Sequence, residues 1–77
     1  TIKLFAVYRD LLGKSEITLV MDGRRTVADL YDQVLGGRAG ADLRKATLFA
    51  VNETYVPAQT IVQDGDRVAF IPPVSGG

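Results

Sequence analysis

Residues 26–37 read TVADLYDQVLGG, and this stretch decides the fold of the chain. Its apolar residues recur at the three- and four-residue spacing that places side chains on one face of a helix. Thr26 is a good N-cap, and Asp29 three residues later completes a pattern that resembles a capping box. Gly36-Gly37 allows the backbone to leave the helix. The sequence therefore predicts an amphipathic helix whose apolar stripe is formed by Val27, Leu30, Tyr31, Val34 and Leu35.

Short apolar stretches bounded by turn residues predict strands on both sides of this helix. The first alternates with a period of two, so that Leu4 and Ala6 share one face and Phe5 lies on the other. A short link makes the second strand its antiparallel partner. The last strand follows the turn Asp64-Gly65-Asp66, where Gly65 is expected to take a positive φ. The predicted strands cover residues 2–8, 16–20, 47–51, 55–56 and 67–71, and residues 41–46 add one short helical turn.

This order of elements predicts an α+β fold, in which one main helix packs across one face of a mixed four- to five-stranded sheet. That is the ubiquitin-like β-grasp, with the first and last strands parallel and side by side. A chain of 77 residues forms one domain. We expect residues 1–71 to form the globular body and residues 72–77 to form a C-terminal tail that hangs free.

The composition excludes several classes of function. Nine basic and nine acidic residues cancel, which argues against nucleic acid as a partner. No apolar run approaches the roughly 20 residues that span a bilayer, and no secretory signal is evident, so we expect a cytoplasmic protein without membrane contact. Cysteine and histidine are absent, which removes thiolate nucleophiles, the usual general base and the commonest metal ligands. We expect no bound metal or cofactor and no self-sufficient catalysis.

The fragment Gly13-Lys14-Ser15 matches only the end of a phosphate-binding loop. The full pattern requires a glycine five residues before Gly13, where this chain has Tyr8. Any chemistry that consumes ATP therefore has to be carried out by another protein.

The C-terminal segment PPVSGG at positions 72–77 suits chemistry at the terminus itself. A terminal carboxylate has a pKa of about 3.5 and is a poor electrophile until it is activated, for example as a mixed anhydride with AMP. Two glycines can enter a channel that side chains would block, and two prolines stiffen the approach. These features predict a C-terminal acyl carrier whose activated carbonyl is attacked by sulfur or by an amine.

Several stretches together resemble one known family over essentially the whole chain. They are KLFA at 3–6 with Arg9-Asp10, AVN at 50–52, and DGDRVAFIPPVSGG at 64–77. The last stretch is the most specific, because its double proline and terminal double glycine occur in register. The chain resembles the small sulfur-carrier subunit of molybdopterin synthase, a ubiquitin-like β-grasp family.

This resemblance implies that a ubiquitin-activating-type enzyme uses ATP to adenylate Gly77, and that a sulfur donor system converts it to a thiocarboxylate. The carrier then donates sulfur to cyclic pyranopterin monophosphate inside the large subunit, which supplies the catalytic side chains. The resemblance also implies an assembly of two small and two large subunits. The residues expected to thread into the partner are Pro72, Pro73, Val74, Ser75 and Gly76.

Three other functions remain open from the residues. The acceptor of the sulfur could belong to thiamine thiazole synthesis, cysteine synthesis or transfer-RNA thiolation. The domain could be a β-grasp binding module whose tail carries no chemistry. It could also be a ubiquitin-like tag that is attached to lysines.

The predicted faces of the strands also predict a docking surface. If the helix covers Leu4, Ala6, Val68 and Phe70, then other apolar side chains are left on the uncovered face beside the tail. The resemblance assigns a hydrophobic contact patch to the same positions and adds one arginine. The predicted partner interface is Phe5, Arg9, Tyr55 and Ile71.

Overall fold

A computed structural model describes residues 1–20 and 23–73 of the chain. These residues form seven short strands and three helices. In chain order they are β1 (Ile2–Leu4), α1 (Ala6–Leu12), β2 (Glu16–Ile17), β3 (Arg25–Thr26), α2 (Val27–Leu35), α3 (Ala41–Ala46), β4 (Leu48–Val51), β5 (Thr54–Val56), β6 (Ile61–Val62) and β7 (Val68–Ile71).

The main sheet has five strands in the order β2-β1-β7-β4-β5. The last strand, β7, lies at its centre, parallel to β1, with Leu4 opposite Phe70. On its other side β7 is antiparallel to β4, with Leu48 opposite Ile71. The predicted parallel pairing of the first and last strands is therefore confirmed. Consequently, the chain leaves the sheet from its middle strand.

Helix α2 forms where the sequence predicts it, because its ends satisfy their own backbone groups. The Thr26 hydroxyl oxygen accepts a hydrogen bond from the Asp29 N–H at 3.0 Å, and the Asp29 carboxylate accepts one from the Thr26 N–H at 3.1 Å. Gly36 ends the helix in the left-handed conformation, with a φ of 54°. The capping box and the glycine stop are both confirmed.

The apolar stripe of α2 packs against one face of the sheet. Tyr31 meets Phe70 and Phe49 edge to face, with ring centroids 5.2 and 5.8 Å apart. Burying a large apolar side chain contributes roughly 1.5–3 kcal/mol, so this layer dominates the stability of the domain. Because α2 lies on one side only, the opposite face of the central strands is left without a helix. The core residues on the two layers are Val27, Leu30, Tyr31, Leu35, Ile2, Leu4, Phe49, Val68 and Phe70.

The prediction of a strand over residues 2–8 is wrong beyond Leu4. Ala6 has a φ of 46°, which turns the chain out of the sheet and into α1. Ala6 is consequently exposed and does not lie beneath α2. Tyr8 instead occupies the core from α1 and is fully buried. The apolar residues 5–8 are compatible with either period, and the burial of Tyr8 favours the helix.

Two strands that were not predicted from the sequence, β3 and β6, pair with each other as a separate two-stranded sheet. The loop before β6 supplies carbonyl groups to the start of α2: Val27 N–H donates to Thr60 at 2.9 Å, and Ala28 N–H donates to Ala58 at 2.9 Å. These bonds satisfy donors that a helix start leaves free. The second predicted strand, 16–20, is shortened to the two residues of β2.

Candidate functional site

The predicted reactive tail leaves the domain from the end of β7. Ile71 is half-buried, Pro72 is buried and Pro73 is exposed. The remaining predicted tail residues, Val74, Ser75, Gly76 and Gly77, lie outside the described residues. Their roles stay predictions, and the candidate site is the surface at the root of the tail.

The uncovered face of the sheet has a depression at its centre. In register across the sheet, Ala69 lies opposite Lys3 on one side and opposite Ala50 on the other, and Ala50 in turn lies opposite Tyr55. The two alanines form a low floor, because their side chains are much smaller than those around them. The depression has a volume of about 330 Å³ and is lined mostly by apolar surface. A cavity of this shape accepts a protruding apolar side chain.

The end of the depression nearest the tail is apolar. Leu4 pairs with Phe70, so Phe5, which directly follows β1, lies beside Ile71, the last residue of β7. Phe5 is 43% exposed and Tyr55 is 67% exposed, and both line the depression together with Ile71. The structure thus brings together three of the four residues predicted for the partner interface. Clustered apolar side chains of this kind are typical of a docking surface.

Arg9, the fourth residue predicted for the interface, does not line the depression. It lies on α1, one helical turn after Phe5, and its side chain is exposed. Its predicted role therefore rests on the resemblance alone.

The end of the depression away from the tail carries charged side chains that the sequence analysis did not assign to it. Arg67 and Glu53 line this end, and Lys3 lines one flank. The position of Arg67 was foreseeable, because it lies two residues before Ala69 and hence on the same face. Glu53 was not, because its place depends on the pairing of β4 with β5.

The backbone at Arg67 is held by Asn52. The Arg67 N–H donates to the Asn52 side-chain oxygen at 2.9 Å, and the Asn52 N–H donates to the Arg67 carbonyl at 2.7 Å. Two hydrogen bonds thus join Asn52 and Arg67 at the edge of the depression. These bonds fix the backbone of Arg67, and with it the position from which its side chain extends.

The predicted turn at residues 64–66 is confirmed, and its carboxylate has a structural role. Gly65 has a φ of 92°. The Asp66 carboxylate accepts hydrogen bonds from the Gln63 N–H at 2.9 Å and from the Asn52 side-chain amide at 3.1 Å. The bond from Gln63, followed by the bond from Asn52, lowers the pKa of Asp66 below its ordinary value. Asp66 therefore stays ionised and braces the charged end of the depression through Asn52.

Within residues 1–20 and 23–73, no three potential metal-ligating side chains come together. No helix in these same ranges is sufficiently long and apolar to cross a membrane.

The profile of the ThiS family matches residues 2–77. The chain belongs to the ThiS family. The molybdopterin synthase sulfur carrier subunit of Arabidopsis thaliana is 39% identical over 75 residues, covering 96% of this chain and 78% of the plant protein. The subunit of the same name from Chlamydomonas reinhardtii is 37% identical over 76 residues, covering 95% of this chain and 92% of the relative.

Solved structures share the fold of this chain. SAMP1 from Haloferax volcanii superposes with a TM-score of 0.78 at 30% identity, covering 99% of this chain and 96% of SAMP1. A putative molybdopterin converting factor, subunit 1, from Pyrococcus furiosus gives a TM-score of 0.75 at 29% identity, covering 95% of this chain and 94% of the other. These matches confirm the predicted ubiquitin-like β-grasp.

Proposed function

We propose that this protein is the sulfur carrier subunit of a molybdopterin synthase. The observation that carries the proposal is full-length similarity to proteins of that name, in a chain whose central strand ends at the tail. The geometry at the root of the tail supports it. An apolar docking surface beside Ile71 lets a partner hold the domain while the residues after Pro73 extend into that partner.

The proposed chemistry takes place at the carboxylate of Gly77. In the activating enzyme, a carboxylate oxygen attacks the α-phosphorus of ATP and pyrophosphate leaves, which gives an acyl-adenylate. A sulfur donor then attacks the carbonyl carbon, and AMP leaves with the bonding electron pair. Where the donor is a persulfide, its outer sulfur is the attacking atom and an acyl disulfide forms; a thiol reductant then attacks the donor's inner sulfur and breaks the S–S bond, which leaves the donor as a disulfide and the terminus as a thiocarboxylate. In the synthase this sulfur is transferred to cyclic pyranopterin monophosphate.

The division of labour between subunits follows from the residues of this chain. A chain without cysteine or histidine has neither a thiol to carry sulfur nor an imidazole to move protons. The sulfur therefore travels on the terminus, and the large subunit supplies the catalytic side chains. ATP is bound by the activating enzyme, and the proposed assembly contains two carrier and two large subunits.

A second candidate function, a protein modifier, is favoured by the similarity to SAMP1, a small archaeal modifier protein. It uses the same acyl-adenylate of Gly77. The difference lies in the nucleophile, since a lysine amine rather than sulfur attacks the activated carbonyl. Other acceptors of the sulfur, in thiamine thiazole synthesis, cysteine synthesis or transfer-RNA thiolation, also use the same thiocarboxylate.

The experiment that tests the proposal is an intact-mass measurement. The chain is incubated with its activating enzyme, ATP and a sulfur donor, and we expect the mass increase of one exchange of oxygen for sulfur. The modified chain is then mixed with the large subunit and cyclic pyranopterin monophosphate, and molybdopterin is expected to form. A modified chain that forms lysine conjugates and no molybdopterin would favour the modifier function. A chain that neither gains sulfur nor forms lysine conjugates would exclude both.

A further inference from the structure

The depression on the uncovered face has an ordered polarity. Phe5 and Ile71 make the end next to the tail apolar, and Arg67 and Glu53 make the far end charged. The two charged side chains at this far end have opposite signs. The positive side chain is on β7's side, and the negative one is in the turn between β4 and β5.

Glu53 has a positive φ, a backbone conformation that favours glycine over glutamate. Val51 pairs with Thr54, so that Asn52 and Glu53 form a two-residue hairpin turn. Their φ values are 51° and 72°, as in a type I′ turn. Asn tolerates this conformation, and glycine is preferred at the second position, where a glutamate is strained. Strain of this kind is typical of residues kept for function, and Glu53 lines the depression.

Arg67 and Lys3 lie together on the other side of the depression. Lys3 pairs with Ala69, and Arg67 lies two residues before Ala69, just ahead of β7, so Lys3 and Arg67 are on the same face of the sheet. Glu16 lies opposite Lys3 on β2. Within the described residues the ion pair formed is Arg44 with Asp32, which lies elsewhere, so the guanidinium of Arg67 is free to meet a partner. Its backbone is fixed by Asn52.

From this arrangement we infer that the depression selects its partner by the order of charges around it. The partner is the large subunit of the synthase, so the inference rests on the proposed function. Its docking surface presents an apolar side chain to the floor of Ala50 and Ala69. It places an acidic group against Arg67 and Lys3 and a basic group against Glu53. The charges orient the domain so that its tail points toward the partner's active site.

A charge swap tests the inference. The double variant Glu53→Arg, Arg67→Glu keeps the net charge and the residue types and reverses only their order. We expect its dissociation constant for the large subunit to rise on the order of tenfold or more, because each charge then faces one of its own sign. Arg67→Glu alone is expected to slow association and to flatten its dependence on salt. Arg38→Glu, an exposed change in the loop after α2, is the matched control and is expected to bind as the wild type does.

Two substitutions at Glu53 distinguish the effect of its charge from the effect of its backbone strain. Glu53→Gln removes the charge, and Glu53→Gly removes the charge and the strain. We expect both to bind the large subunit equally and more weakly than the wild type, and only Glu53→Gly to raise the urea midpoint. Wild-type affinity in the charge-swapped variant would overturn the inference. So would a loss of affinity confined to the activating enzyme.

Thiocarboxylate formation by the activating enzyme keeps this test distinct from that of the proposed function. The wild-type chain and the charge-swapped variant are both incubated with saturating activating enzyme, and their intact masses are compared. Failure of the wild type to be modified counts against the proposed function. Equal modification of both chains, with equal binding to the large subunit, counts against the charge-order inference alone.

Discussion

The hydroxyl groups of Tyr8 and Tyr31 lie 2.6 Å apart in the core, although 23 residues separate them in the chain. Their rings meet edge to face, with centroids 5.6 Å apart. The Tyr8 hydroxyl also bonds to the hydroxyl of Thr47, which donates to the Leu43 carbonyl at 2.7 Å. Each hydroxyl has one proton, so the bonds run in one direction: Tyr31 donates to Tyr8, Tyr8 to Thr47, and Thr47 to Leu43. Burial, followed by this bond to Tyr8, raises the pKa of Tyr31.

The direction of this chain of bonds predicts unequal effects of two similar substitutions. Tyr31→Phe removes only the first donor and is expected to cost about 1 kcal/mol. Tyr8→Phe removes the middle hydroxyl of this hydrogen-bond series and leaves the Tyr31 proton buried without its acceptor. A loss of about 2 kcal/mol of stability is therefore expected. Urea denaturation of both variants measures the difference. Equal midpoints, or a larger loss for Tyr31→Phe, would contradict the assigned direction.

The capping box at the start of α2 predicts the effect of Thr26→Ala. The variant loses the side-chain acceptor of the Asp29 N–H, and a cost of about 1 kcal/mol is expected. Thr26→Ser keeps the acceptor and is the control. Sulfur transfer by the folded fraction should be unchanged, because the cap is at the start of α2 and the candidate site is on the opposite face of the sheet. An unchanged denaturation midpoint in Thr26→Ala would show that the cap does not hold the helix.

The lowered pKa of Asp66 predicts how stability depends on pH. Its ordinary value is 3.8, and its partners stabilise the ionised form in the folded state. The contribution is therefore fully present above about pH 5 and is lost as the pH falls through the lower, folded-state pKa. Asp66→Asn should be less stable than the wild type near neutral pH and should lose less stability on acidification. Asp10→Asn, at an exposed position on α1, is the control. Parallel stability curves for Asp66→Asn and the wild type between pH 6 and pH 2 would refute the role.

The two faces of the sheet predict a separation of binding from folding. Phe5 is 43% exposed at the proposed docking surface, whereas Phe70 is 0% exposed in the core. Phe5→Ala or Ile71→Ala should weaken binding to the large subunit and to the activating enzyme by about 2 kcal/mol, with little loss of stability. Phe70→Ala should cost about 3–5 kcal/mol of stability. Titration calorimetry and urea denaturation measure the two effects. Wild-type affinity in both surface variants would show that this face is not the docking surface.

The proposed chemistry predicts that the C-terminus tolerates no change in length. Deleting Gly77, or adding one residue after it, moves the carboxylate out of register with the active sites of its partners. Sulfur transfer should be abolished in both variants, and the urea midpoint should equal that of the wild type. Intact mass confirms that the added residue is retained during the assay. An extended chain that still supports molybdopterin formation would exclude the carrier function.

Several features follow from the sequence because neighbouring residues determine them. The cap, the apolar stripe and the glycine stop of α2 depend on contacts three or four residues apart, and all three were predicted. The alternation along β7 assigned Ile71 to one face and Phe70 to the other. Together with Phe5 and Tyr55, this alternation was enough to predict which apolar side chains line the depression.

Features that depend on contacts between residues far apart in the chain were decided only by the tertiary structure. The segment Ala6–Leu12 forms α1 because the core offers Tyr8 the hydroxyls of Tyr31 and Thr47, which no local pattern reveals. β3 and β6 have only two residues each and exist through their pairing. The charged side chains around the depression come from three separate parts of the chain, at Lys3, Glu53 and Arg67. Their proximity is a consequence of strand register, which is set by burial of the opposite face and by the two-residue turn at Asn52 and Glu53.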